Sequence, residues 1–189
     1  MAGEAQAGGA RAAAAPPVVR AAVRGDVLLL LELFRELAEY EHLEDELRAD
    51  EQRLAQALFS ERPAAEALIA EQAGQVAGYA LYFPTFSSFL AIQGVWLEDL
   101  FVRPAHRRGG VGKALLSAVA ARVRERGGER LEWAALDWNE LALGFYRGIG
   151  AQRMDEWITH RLVGEPLRRL AGEGVGGDVD EGGSGAAGG

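Results

Sequence analysis

Two adjacent acids, Glu98 and Asp99, interrupt the otherwise apolar run VWLEDLFV from Val95 to Val102. Such a run reads as a strand. Charged side chains inside it are costly unless they have a partner or a use. By strand alternation, Glu98 shares a face with Trp96, Leu100 and Val102, and Asp99 shares the other with Leu97 and Phe101. Apolar surroundings raise a carboxyl pKa toward the range in which it takes protons near neutral pH. The pair therefore suits proton abstraction, with a hydrogen-bonded structural pair as the alternative.

The strand runs straight into RPAHRRGGVGKALL, Arg103 to Leu116, where arginines and glycines crowd the start of an amphipathic helix. A helix N-terminus offers unpaired N–H groups and the positive end of a dipole. Gly109, Gly110 and Gly112 would let an anion approach the backbone, and Arg107, Arg108 and Lys113 would add charge. The joint fits a phosphate. It is not a P-loop, because Ala114 follows Lys113 and no glycine stands five residues before Gly112. Nor is it a dinucleotide fingerprint, whose third glycine would fall at Leu115. A glycine-rich turn with surface arginines is the plain alternative.

Tyr146, in GFYRGIGA, carries a phenol able to donate a proton; it reads equally as a core residue with its hydroxyl at the rim. Between Glu39 and Glu51 lie seven acids and one arginine, Arg48, which would attract a cation or simply form a solvated face. Cysteine is absent, excluding disulfides, zinc–cysteine sites and a cysteine acyl-enzyme. His42, His106 and His160 are scattered without ligand spacing, so no metal is expected.

The elements that must position these groups follow from periodicity. Val18–Val23 reads as a strand, and Gly25-Asp26 starts a helix with apolar Val27, Leu30, Leu31, Phe34 and Leu37. A second helix is expected from about Arg53 to Phe59. Strands at 66–71 and 75–83 flank Ala73-Gly74 as a hairpin, and 94–102 is another strand. Val111, Leu115, Leu116, Val119 and Val123 form one face of a helix ending near Gly127-Gly128. A strand at 130–136, a helix at 140–148 and a last strand at Met154–Leu162 complete an α/β (α+β) domain with one helix-covered sheet. The domain should span 17–169, between disordered tails at 1–16 and at the glycine-rich 170–189.

The net charge of −8 disfavours nucleic-acid partners. The longest aliphatic run, Val27 to Leu31, is far too short to span a membrane, and the N-terminus lacks the order of a signal peptide. A cytoplasmic protein is expected.

The spacing Arg107-x-x-Gly110-x-Gly112 resembles the pyrophosphate-binding motif of the GNAT N-acetyltransferases. WLEDLFVRPAHRRGGVGKALL and LDWNELALGFYRGIGAQR resemble its diamine acetyltransferase-like branch (spermidine/spermine and thialysine), as does LFRELAEYEHLEDE after the first strand. The resemblance implies the GNAT fold, a single mixed, mostly antiparallel sheet flanked by helices. It implies acetyl-CoA as co-substrate and a small-molecule amine as acceptor, by direct transfer in a ternary complex. It makes Glu98 the general base and Tyr146 the acid toward the coenzyme thiolate. It places Leu100, Phe101 and Val102 on the acetyl and pantetheine groups. Arg107, Arg108, Gly109, Gly110, Val111, Gly112 and Lys113 fall on the pyrophosphate, and Asn139, Ala142 and Tyr146 also on the coenzyme. Tyr40, Glu41, Glu98 and Asp99 fall on the amine. It also implies a homodimer involving the segment near Trp157 to Leu162.

One stretch departs from the pattern. Pro84 to Trp96 is apolar, with Ser87 and Ser88 where the spermidine/spermine enzymes carry an acid, which puts polyamine specificity in question. A protein lysine or N-terminal acetyltransferase and a non-catalytic acyl-CoA sensor are the competing readings.

Overall fold

A computed structural model of the protein describes residues 15–173. In chain order the elements are β1 (Val18–Ala21), α1 (Val27–Glu41), α2 (Glu51–Phe59), β2 (Glu66–Gln72), β3 (Gln75–Ser87), β4 (Ile92–Val102), α3 (Val111–Glu125), β5 (Arg130–Glu132), α4 (Glu140–Gly148) and α5 (Gly164–Leu170). The five strands form one sheet in the order β1-β2-β3-β4-β5. The first three pairings are antiparallel and β4–β5 is parallel, giving the mixed, mostly antiparallel sheet that was expected. The chain divides into two compact units between Leu136 and Asp137. The first holds the sheet with α1, α2 and α3, and the second holds α4 and α5.

The sequence pattern forces most of this. The two-residue turn Ala73-Gly74 takes positive φ at both positions, the geometry that matches strand twist in a tight hairpin. All five expected apolar residues of α3 are buried, each contributing about 1.5–3 kcal/mol. Gly127 at φ +71 and the bond from Gly128 N–H to Val123 O close that helix. At the start of α1, the buried Asp26 accepts the Val23 N–H at 2.7 Å and two bonds from Arg20. The hydrogen bond from Arg20 holds the Asp26 carboxyl below its ordinary range. From this anchor, Val27, Leu30, Leu31 and Leu33 bury against Ile69, Tyr79 and Phe101.

Helices cover both faces of the sheet. Tyr79 of β3 meets Phe34 of α1, while Tyr82, three residues on, lies beneath Arg126 just past α3. Residues three apart on a strand point opposite ways. Arg103, at the end of β4, pairs with Glu36 and Glu32 and donates to Val76 O, so the strand end is pinned to α1.

Several boundaries differ from expectation. α2 starts at Glu51 because the Asp50 side chain accepts the Arg53 N–H and caps it. β3 and β4 extend to Ser87 and Ile92, a longer hairpin than periodicity showed. β5 has three residues, not seven. The expected strand at Met154–Leu162 is absent, and α5 follows instead. Its apolar residues Met154, Trp157, Ile158 and Leu162 do not alternate, and no described residue pairs with the segment in a ladder. Of the expected tails, 1–14 and 174–189 lie outside the described residues, and α5 runs through Leu170. No described helix is long and apolar enough to cross a membrane.

Candidate active site

The two acids of β4 sit on a β-bulge. Tyr82 pairs with Leu97 and Leu81 with Asp99, so Glu98 is the extra residue. An extra residue re-aims the side chains around it. Leu97 stays with Tyr82 on the α3 face, whereas Asp99 joins Leu81 and Tyr79 on the α1 face. Trp96, paired with Phe83, also faces α1, and its indole N–H donates to the Glu98 carboxylate at 2.9 Å. Glu98 and Asp99 therefore lie on one face. The expectation that they oppose each other is corrected: alternation fails across a bulge.

The two carboxylates have unlike surroundings. Glu98 is exposed. Asp99 is half-buried and accepts the Tyr79 hydroxyl at 3.0 Å. Burial pushes the Asp99 carboxyl up to about 6; the Tyr79 hydrogen bond pulls it down, and Glu98 and Glu41 push it further up. Glu41, the last residue of α1, is itself raised by burial. Among the acids from Glu39 to Glu51 it alone is half-buried; the rest are exposed, with Asp50 spent on capping α2. The negative end of the α1 dipole adds to three acids, and a cation is the natural guest.

Beside Glu41, the Tyr40 ring carries the Arg107 guanidinium at 4.5 Å, and Arg107 Nε donates to Val102 O at 3.0 Å. The next residues form the glycine joint. Arg108 has φ +62 and Gly110, the residue before α3, has φ +85. A non-glycine residue held in the left-handed region marks a built conformation. The Gln72 side chain supports it from the end of β2: its amide donates to Gly109 O at 3.1 Å and Ala15 O at 2.8 Å, and its oxygen lies 3.3 Å from His106 Nδ1. A Cβ at Gly109 would meet Gln72 at 3.0 Å, and one at Gly112 would meet Val102 at 3.6 Å. Arg108 and Lys113 are exposed at the mouth. Open glycine backbone, the N–H groups of a 15-residue helix and flanking cations fit a pyrophosphate.

Between joint and carboxylates lie Leu100, Phe101 and Val102. They pair with Ala80, Tyr79 and Gly78 of β3, while the β4–β5 ladder ends at Trp96–Glu132. The strand is thus paired on one side only at this level, among the described residues.

In the second unit, Asn139 caps α4, its side-chain oxygen accepting the Ala142 N–H at 3.2 Å. Tyr146 is half-buried beside Phe145, and its carbonyl accepts from Ile149 and Ala151 to close the helix. In the departing segment, Ser87 is buried and its Oγ accepts the Leu90 N–H at 3.4 Å, so it closes the hairpin tip. Tyr79, Gln72 and Arg103 were not singled out from the sequence. Period-two alternation turns Tyr79 inward, but nothing local names the partner of its hydroxyl.

Residues 30–151 match the model of the acetyltransferase (GNAT) family. The chain is 36% identical over 167 residues to bovine thialysine N-epsilon-acetyltransferase, covering 82% of this chain and 98% of that one. It is 47% identical over 95 residues to the L-ornithine N5-acetyltransferase NATA1 of Arabidopsis thaliana, covering 50% of this chain and 42% of that one. An integron cassette protein of V. cholerae superposes with a TM-score of 0.69 at 30% identity, over 82% of this chain and 97% of that one. The chain belongs to the GNAT acetyltransferase family, in its diamine acetyltransferase-like branch, and is an N-acetyltransferase.

Proposed function

We propose that this protein transfers the acetyl group of acetyl-CoA directly to the primary amine of a small cationic molecule in a ternary complex. The bulge carries the reading, because it turns Glu98 and Asp99 to one face, close to Glu41. Their strand leads straight into the glycine joint. Arg107 through Lys113 would hold the pyrophosphate, Leu100, Phe101 and Val102 the acetyl and pantetheine end, and Asn139 and Ala142 further coenzyme contacts. Acetyl-CoA supplies an activated acetyl thioester. Tyr40 and Glu41 would hold the amine.

The ammonium gives one proton to the carboxylate pair, directly or through water. The freed nitrogen attacks the thioester carbonyl, the N–C bond forms, and the C–S bond breaks as the nitrogen gives up its second proton, which replaces the one the departing thiolate takes. Tyr146 is proposed to return a proton to the departing thiolate, on the strength of its place in the matched segment. Relatives named for thialysine and ornithine favour an amine on an amino-acid side chain or short diamine. The hairpin tip, with exposed Phe86, Phe89 and Leu90 and no carboxylate, favours such an amine over a polyamine. A homodimer is part of the proposal, supported by exposed Trp157, Ile158 and Val163.

Release of free thiol from acetyl-CoA tests this against putrescine, spermidine, spermine, thialysine, ornithine, lysine and a lysine peptide. Turnover greatest on a lysine-like amine or short diamine is expected. Turnover on the peptide alone would move the substrate to protein, and silence with coenzyme bound would leave a sensor.

A further inference from the structure

The face of the sheet that carries Glu98 continues toward the β3–β4 hairpin, and the ladder says which residues line it. From Tyr79, which meets α1, alternation along β3 turns Leu81, Phe83 and Thr85 the same way. Phe83 pairs with Trp96 and Thr85 with Gly94. The parallel ladder then sets Glu132 beside Trp96 and Arg130 beside Gly94. A Cβ at Gly94 would meet Thr85 Oγ1 at 2.8 Å and Arg130 Cβ at 3.5 Å, so the Arg130 side chain rises on this face. There Arg130 Nε pairs with Glu132 Oε2 at 2.7 Å, and both side chains are partly exposed. Trp96 stands between Gly94 and Glu98 along β4, with its indole N–H on the Glu98 carboxylate.

We infer that this ion pair is the subsite for the head of an α-amino acid, with Arg130 taking the α-carboxylate and Glu132 the α-ammonium, while the side-chain amine reaches the carboxylates of β4. The inference deepens the acetyltransferase reading above and rests on it. An α-amino acid head carries one charge of each sign on a single carbon, and a pair of opposite charges on one face is its complement. A guanidinium has five N–H donors. Glu132 engages Nε, and the terminal nitrogens present a fork that matches a carboxylate. A carboxylate such as Glu132 has lone pairs enough to accept an ammonium besides. The length fits as well. Glu132 stands level with Trp96, two residues from Glu98, and two residues of strand span about 7 Å. The extended side chain of ornithine or lysine covers such a distance, and its methylenes would lie along the Trp96 ring. A plain diamine brings a second ammonium in place of the head; it gains nothing from Arg130 and is repelled by it.

The test sets each amino acid against its decarboxylated counterpart, lysine against cadaverine and ornithine against putrescine, in the full chain and in Arg130→Met, Arg130→Lys and Glu132→Gln. The wild type should prefer the amino acid in kcat/KM. Arg130→Met should cut the lysine-to-cadaverine ratio of kcat/KM about 10- to 100-fold, through KM for lysine rather than kcat. Arg130→Lys keeps the charge without the fork and should recover part of that loss. Glu132→Gln should cost lysine more than Nα-acetyllysine, which has no α-ammonium to lose. A ratio unchanged in Arg130→Met overturns the inference, and so does a wild type that prefers the diamine. Equal losses on both amines would make the ion pair a structural one and overturn it too. Calorimetric titration of the coenzyme A complex with lysine and with cadaverine reads the same preference without turnover. Wild-type silence on every amine, with that binding preference present and lost in Arg130→Met, would sink the proposed acetyl transfer and leave the subsite standing.

Discussion

The Arg107 guanidinium lies over the Tyr40 ring, 4.5 Å from its centroid, while its Nε holds the Val102 carbonyl. One side chain thus joins the C-terminal turn of α1, where Glu41 stands, to the end of β4 and the glycine joint. A cation over an aromatic face contributes about 0.5–1 kcal/mol when exposed and more when desolvated. Arg107→Ala should therefore raise KM for both the amine and acetyl-CoA, each about 3- to 10-fold. Tyr40→Leu should raise KM for acetyl-CoA as well, although Tyr40 stands on the amine side. Two-substrate initial-rate kinetics would check this, and an effect confined to one substrate would break the link.

Gln72 supports the joint from beneath, holding Gly109 O, Ala15 O and His106. Its side chain is buried, so removing it strands polar partners away from water. Gln72→Leu should cost about 1–3 kcal/mol of stability and weaken acetyl-CoA binding while leaving KM for the amine nearly unchanged. Thermal unfolding and calorimetric titration with coenzyme A would measure both.

What the sequence made legible were features set by local pattern. α3, its glycine stop, the Ala73-Gly74 hairpin and the apolar stripe of α1 follow from periodicity and turn chemistry, and each stands where expected. The turn ahead of α3 was legible for the same reason, since a run of glycines marks a break between strand and helix. The bulge was not legible, because one extra residue in a ladder is a property of two strands, and it put Leu97 and Asp99, expected together, on opposite faces. Gln72 and Tyr79 were missed likewise: the groups they hold lie far away in sequence. The segment Met154–Leu162 lacked both a strand's alternation and a described partner to form a ladder.

Arg108 is held at φ +62, a region a side chain occupies at a cost of about 1–3 kcal/mol. If the exposed guanidinium is kept there for the coenzyme, stability and function should separate. Arg108→Gly should raise Tm slightly by relieving the backbone, yet weaken acetyl-CoA binding about 10-fold through loss of a charge-assisted phosphate contact. Arg108→Ala should weaken binding to the same degree without the gain in Tm. Equal binding in all three proteins would remove Arg108 from the cradle.

Asp99 should likewise lower the stability of the fold that carries it. Its carboxyl titrates at about 6 in the folded chain against an ordinary 3.8. The unfolded chain therefore releases its proton first as pH rises, and the folded state loses stability from about pH 4 to above pH 6. The loss is on the order of 2 kcal/mol, allowing for partial exposure. Asparagine keeps an oxygen for the Tyr79 hydroxyl and cannot ionise. At pH 8, Asp99→Asn should unfold a few degrees above the wild type, and below pH 4 the two should converge. A structural carboxylate would behave the opposite way, as Asp26 should: lowered by Arg20, it stabilises above its ordinary pKa and loses that contribution in acid. Thermal melts of both asparagine variants from pH 3 to 8, set beside turnover at pH 8, would show whether an acid that weakens the fold is one the reaction needs.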